Sequence, residues 1–295
     1  MKIIQPKVEL WRQGKDVKAH VARCARVCYK RKTGNDKALY KGLINSHHWS
    51  MFRHETVYAM VPTSAWNGAF GMAFSKYMES PYIEWIAFDD YTYIATNGNF
   101  MLDTEKENPV LYKYLRKYRV SEEEFNSCEY VWTHLSRYTF CIDTQISTSR
   151  ELNRVSPNNI SEQSTRYVYE DGIICKPHWM SDEIAQNFNE HPLFITWADN
   201  NNEEHKKACQ YLSSCNHSFN NYKVLINEFG MPRQDARGVL PLDTATRCIY
   251  TYSIDEWRKI IDLRYYGATG KPHPNAKIIA GMIRKELMEL GYDFK

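Results

Sequence analysis

Two hydrophobic periods alternate along this 295-residue chain, and that alternation constrains its fold more than any other feature. "DVKAHVARCARVCYK" (16–30) places Val17, Val21, Ala25 and Cys28 at helical spacing, and "DKALYKGLINSH" (36–47) repeats the pattern with Leu39, Leu43 and Ile44. "ETVYAMVP" (55–62) switches to a period of two, with Val57, Ala59 and Val61 on one face and Pro62 as a stop. "YTYIAT" (91–96) and "YTFCIDT" (138–144) also read as strands, with "NGN" after the first as a turn. Residues 63–90 read as irregular. "SEEEFNSCEYVWTHLSRY" (121–138) reads as a helix opened by Ser121 and Glu124 in capping-box register, and Thr148 with Glu151 offers a second such box. "RYVYEDGIICKP" (166–177) reads as a hairpin turning near Asp171 and Gly172. Residues 202–230 form a long amphipathic pattern closed by Gly230, and 231–253 a loop or short helix followed by a strand. The last two helices are expected at 253–267, with Ser253 and Glu256 in capping-box register, and at 275–291. Interleaved helices and strands without repeats, low-complexity tracts or linkers predict one α+β domain over 1–295, with an extended insertion at about 63–120.

Composition narrows the function classes. Hydrophobic residues at 43% and charged residues at 25% are ordinary soluble usage. A net charge of +3, from 38 basic and 35 acidic side chains, is too balanced for a duplex-binding protein but leaves room for a local anion site. The 21 Tyr and 8 Trp supply flat surfaces that suit ring-shaped ligands, although most belong in a core. Eight cysteines include no C-x-x-C pair, so a zinc knuckle or thioredoxin-type site has no support. The N-terminus is too polar for a signal peptide and no run of 18 apolar residues occurs. The expectation is a cytoplasmic protein with reduced thiols, bound to neither membrane nor nucleic acid.

The densest chemistry lies at 148–167. "TSRELNRV", "PNN" and "SEQSTRY" gather Glu151, Arg154, Glu162, Gln163, Ser164, Thr165 and Arg166. Arg154 and Arg166 can fork onto a phosphate or a planar imide. Glu162 and Ser164 share one side of an extended segment. Arg264 follows Trp257, Ile260 and Ile261 at i, i+3, i+4, i+7, so it needs a buried partner, a ligand, or a snorkelling path to water. Arg237 in "ARGVLP" suits either an anion or a helix C-terminus. His47, His48 and His54 are spaced H-H-x5-H, which matches no metal-ligand pattern, so no metal is expected there.

"RELNRVSPNNISEQSTRY" resembles the R-H-R-x7-S signature of the flavin-dependent thymidylate synthases (ThyX), with its usual E-x-S-x-R-Y continuation. Arg154 stands at the first Arg, Ser164 at the Ser, and Glu162, Arg166 and Tyr167 in the continuation. "CARVCYK" (24–30), "HHWSMFRH" (47–54), "ARGVLP", Arg264 in "DLR" and "HPNAKIIA" resemble further family blocks in the same order. The resemblance is to a divergent member. It implies an α+β fold whose central, mostly antiparallel sheet is flanked by helices, and a homotetramer with active sites between subunits.

It also implies reductive methylation of dUMP to dTMP, with 5,10-methylenetetrahydrofolate as carbon donor and NADPH-reduced FAD as hydride source. By the resemblance, dUMP meets Glu151, Arg154, Glu162, Gln163, Ser164, Thr165, Arg166, Arg237 and Arg264, with Arg264 and Ser164 catalytic. FAD meets His48, Ser50, Arg154, Glu162, Ser253 and Lys259. The chain departs from the signature at Val155 and Ser156, which replace the motif's His and second Arg, and Asp255 needs Arg258 or Lys259 to offset its charge near flavin phosphates. That departure motivates two alternatives. One is an enzyme of the same fold that leaves a hydroxymethyl group on a pyrimidine nucleotide, and the other is a non-catalytic nucleotide-binding homologue.

Overall fold

The computed structural model describes residues 1–31, 33–154, 160–191 and 202–294. Among them run strands β1 (Lys2–Ile4), β2 (Lys7–Trp11), β3 (Thr56–Pro62), β4 (Glu84–Phe88), β5 (Tyr91–Asn97), β6 (Arg119–Val120), β7 (Arg137–Gln145), β8 (Ile160–Glu162), β9 (Ile173–Cys175) and β10 (Ala245–Ser253). The central sheet, ordered β2-β7-β10-β8, is antiparallel throughout. β7 and β10 pair along their whole length, from Ala245 opposite Gln145 to Ser253 opposite Arg137.

Alternation along these two strands gives the sheet two different faces. Tyr138, Phe140 and Ile142 of β7, with Cys248, Tyr250 and Tyr252 of β10, enter the main core. There they meet Trp257, Ile260 and Ile261 of the Ile254–Ile261 helix, and Ile279, Ile283 and Leu287 of the Pro274–Glu289 helix. Each of the isoleucines, Leu287 and Phe140 contributes about 1.5–3 kcal/mol when fully buried. The opposite face carries Cys141 and Ile249 under Trp11, Cys24 and Val27, so the Val17–Val27 helix covers it. The fold is therefore α+β, with a central antiparallel sheet flanked by helices.

A second antiparallel sheet, ordered β4-β5-β3-β6, lies within residues 56–120 and has its own core around Phe70, Phe74, Ile94, Leu111 and Leu115. The stretch 63–90, expected to be irregular, instead holds a 3₁₀ turn, the Ala69–Ser75 helix and β4. Phe70 and Phe74, four apart, bury fully against Trp66 and give this stretch its order. Gly71 is required there because a Cβ would clash with the Trp66 carbonyl.

Other expectations shift locally. Asn97 is no turn residue: its side chain accepts the Phe100 N–H at 2.9 Å and caps the Gly98–Glu107 helix. The expected helix at 121–138 is two short ones, Glu122–Phe125 and Glu129–Leu135, because the chain leaves helical geometry at Cys128. Thr148 does not cap a helix. The helix starts at Ile146, and the Thr148 hydroxyl donates back to Gln145 at 2.7 Å. The hairpin expected at 166–177 is absent, since β9 pairs in parallel with β1. The Glu203–Asn227 helix packs on that small sheet, and Gly230 follows in the left-handed region at φ +66°. Among the described residues no helix is long and apolar enough to cross a membrane.

Candidate active site

β8 and the turn after it form a strip that splits its side chains between neighbours. The Ser161 hydroxyl donates to the Cys24 carbonyl at 3.0 Å and lies 3.1 Å from the Cys28 thiol, which ties the strip to the Val17–Val27 helix and the turn that follows it. Glu162 faces the other way. One of its oxygens accepts from the hydroxyls of Ser149 at 2.9 Å and Thr246 at 3.0 Å. The Gln163 amide nitrogen is committed to Glu170 at 3.0 Å, which steadies the loop. Burial pushes the Glu170 carboxyl up, and the Gln163 N–H partly offsets this.

Ser164 anchors the turn. Its N–H donates to the Cys28 carbonyl at 3.0 Å, and its hydroxyl accepts the Arg166 N–H at 3.3 Å. Thr165 accepts from Arg237 Nη1 at 3.2 Å. Arg166 Nε donates to the Gln234 side chain at 3.0 Å, and Arg237 Nε donates to the Gln234 carbonyl at 3.1 Å. Gln234 thus holds two of the expected arginines together. Arg233 joins them, donating to the Tyr167 carbonyl at 2.7 Å, and the sequence reading missed it. Its spacing of four from Arg237 across one turn was the available signal.

A second group forms around Glu151, near the end of the Ile146–Leu152 helix. Its carboxylate lies 3.2 Å from Arg154 and 3.8 Å from Arg264, and its carbonyl accepts from Arg264 Nε at 2.9 Å. Arg264 has the protein partner that its place after an apolar face calls for. The helix widens into a π turn at Asp262–Tyr266, which carries Arg264 beyond the fully buried Trp257, Ile260 and Ile261. Its side chain stays 14% exposed and meets Glu151, so it has a protein partner and does not snorkel alone.

Beside the strip, a cavity of about 500 Å³ opens between the Val17–Val27 and Asp36–Asn45 helices. Ala25, Leu39, Leu43 and Met51 make it apolar, Tyr29 and Cys28 stand on the strip side, and His48 and Ser50 line another wall. His54 is elsewhere, buried and bonded to Thr251 at 2.8 Å, and burial pushes it down to about 3. Ser253 is not brought to this cavity. It is fully buried, its hydroxyl accepts the Glu256 N–H in a complete capping box, and it also donates to Glu84 at 2.6 Å. Lys259 is exposed on the same helix, away from the cavity's lining, and Arg258 pairs with Asp255 at 2.7 Å. Val155 and Ser156 lie outside the described residues. Among the described residues no group of His, Cys, Asp and Glu has the arrangement of a metal site.

The model of the thymidylate synthase complementing protein family matches residues 102–290, well over half of the chain. The chain belongs to that family. Within the family match lie the strip, Arg233, Arg237 and Arg264; the resembling blocks at 24–30 and 47–54 lie outside it. Two similar solved structures are of the UMP/dUMP methylase PolB from Streptomyces cacaoi. The form bound with 5-Br dUMP is 15% identical, covers 98% of this chain and 93% of that one, and has a TM-score of 0.46. The form bound with 5-Br UMP is 15% identical, covers 98% and 92%, and scores 0.45. Thymidylate synthase X from Helicobacter pylori, with FAD and dUMP, is 19% identical over 50% of this chain and 66% of that one, with a TM-score of 0.36. No curated protein matches the chain in sequence.

Proposed function

We propose that this family member methylates dUMP reductively to dTMP, taking the carbon from methylenetetrahydrofolate. The observation that carries the reading is the shared strip. Ser164 hydrogen-bonds to the rim of the His48 cavity through Cys28, while the next two residues bond the arginine group at 233–237. One short segment therefore joins an apolar slot to an anion site.

The division of labour follows from side-chain chemistry. Arg166 and Arg237 have planar forks suited to a phosphate dianion, and Arg233 adds charge beside them. Glu162 takes Ser149 and Thr246 on one oxygen and also meets the Cys248 thiol, and its carboxylate suits a ribose or pyrimidine donor. Ser164 serves as a hydrogen-bonding residue for the pyrimidine; none of the described bonds links its hydroxyl to a base that would make it a nucleophile. Arg264, restrained by Glu151, suits the N3/O4 edge of uracil, where negative charge grows as C5 attacks the methylene carbon. Each arginine group is bonded within itself, and we propose that a homotetramer sets the first group of one subunit against the Glu151 group of the next.

The slot fits the ring end of a flavin, since Ala25, Leu39, Leu43 and Met51 offer flat apolar walls and His48 and Ser50 offer polar ones. Arg31, also on that lining, suits a phosphate. When bound, FAD reduced by NADPH supplies the hydride. This reading leaves Ser253 out, because its hydroxyl bonds the helix cap and Glu84. Titration with FAD, followed by flavin absorption, tests the slot: saturable uptake that His48→Ala weakens supports it, and a colourless protein at high micromolar FAD overturns it. The replacement of the motif's His and second Arg by Val155 and Ser156 favours a second reading, in which the same carbon transfer stops at a hydroxymethyl product.

A further inference from the structure

We infer that Glu151 is a positioning residue that holds Arg264 and Arg154 in place, and that it does so at the expense of nucleotide affinity. The inference rests on the nucleotide site proposed above. Glu151 is the penultimate residue of its helix, so its carbonyl is among the last four that lack an intrahelical donor. Arg264 Nε fills that vacancy at 2.9 Å. The carboxylate adds a second restraint on the same guanidinium, with Oε2 at 3.8 Å from Nη2, while Oε1 lies 3.2 Å from Arg154 Nη2. Arg264 is thus hydrogen-bonded at Nε and ion-paired, at a longer distance, at Nη2.

The two ties differ in what they do. The carbonyl bond orients Nε and belongs to the backbone, so it survives any side-chain substitution at 151. The carboxylate restrains the rotation of the guanidinium plane and also puts a negative charge among arginines expected to meet a phosphate and a developing imidate. Like charges close together disfavour each other. A residue whose sole purpose was to bind a dianionic nucleotide would not be a glutamate. Its use here fits geometry: it spaces two cations that would otherwise repel, with Arg264 at 14% and Glu151 at 25% side-chain exposure and Arg154 out at 68%.

The role separates binding from turnover. Glu151→Gln keeps the size and the carbonyl bond but removes the charge. It is expected to bind dUMP about fivefold more tightly, the scale of one unit charge at short range in a wet site. It is also expected to turn over at least about tenfold more slowly, because Arg264 is no longer held in plane. Calorimetry with dUMP, and kcat and KM for the complete reaction, read both. Tighter binding with lower kcat supports the inference. Weaker or unchanged binding, or unchanged kcat, overturns it. A merely structural glutamate would, when lost, loosen binding and turnover together. If the parent protein itself fails to bind dUMP, the nucleotide reading falls and the inference with it, an outcome distinct from a parent that binds and a variant that binds less well. Glu151→Met, uncharged and of similar length, decides the matter should the Gln variant not fold.

Discussion

Replacing Ser253 by Ala removes three interactions from the buried junction between the two large sheets. The hydroxyl accepts the Glu256 N–H at 3.2 Å, donates to Glu84 at 2.6 Å and sits 3.4 Å from Glu256. Loss of the N-cap alone costs about 1 kcal/mol. Glu84 then keeps a buried carboxylate without its hydroxyl donor, and its other oxygen already has no partner; that adds about 1–3 kcal/mol. The sum, about 2–4 kcal/mol, is expected where Glu84 is ionised. Burial raises the Glu84 pKa to about 7, and the Ser253 bond opposes that rise by favouring the charged form. The cost should therefore be greatest above that value and shrink towards the cap contribution in acid. Urea unfolding of parent and variant at about pH 8 and about pH 5 measures both. Flavin uptake by the folded variant should match the parent. A cost under about 0.5 kcal/mol at the higher pH, or selective loss of flavin from a folded protein, would refute the assignment of Ser253 to the cap.

Three further outcomes are expected. Arg166→Ala should weaken dUMP binding by about 1.5–3 kcal/mol in calorimetry, the scale of a charge-assisted hydrogen bond, without lowering the melting temperature, since Arg166 is exposed. Arg264→Ala should lower single-turnover flavin oxidation with dUMP and methylenetetrahydrofolate by about 10²–10³-fold while leaving FAD affinity near the parental value; Arg264→Lys should lower it too, because the planar fork is lost. Glu84→Gln should flatten the pH dependence of stability. A folded-state pKa raised from 4.5 to about 7 gives stability that is present in acid and lost as pH rises through about 7, so the variant should gain on the parent above that value. Glu55, Glu170 and Glu256 are raised by burial as well, so some slope should remain.

The fold was legible wherever period and cap agreed. Ser253 and Glu256 form the reciprocal box their spacing announced, and Val57, Ala59 and Val61 lie on a strand. It was illegible where order comes from distant partners. Phe70 and Phe74 look isolated in sequence but both pack on Trp66, and Phe74 also on Trp85, from a strand ten or more residues on. β9 reads as half of a hairpin in sequence because its partner, β1, is at the other end of the chain. At the site, Arg166 and Arg237 were legible as forks near a polar strip, and Gln234, which joins them, was not, because a glutamine between two arginines has no pattern of its own. Arg264 stands out in sequence because an arginine after an apolar face needs a partner, but the partner, the Glu151 carbonyl 113 residues earlier, has no sequence signal.

The most direct test of the central reading is the mass of the nucleotide recovered after incubation of the protein with dUMP, methylenetetrahydrofolate, NADPH and FAD. The expected product is heavier than dUMP by one CH2 unit, formed with consumption of NADPH and about 10²–10³-fold more slowly by Arg264→Ala. A product heavier by CH2O would replace reductive methylation with hydroxymethylation on the same site, and unchanged dUMP with a protein that still binds it would contradict the catalytic reading altogether.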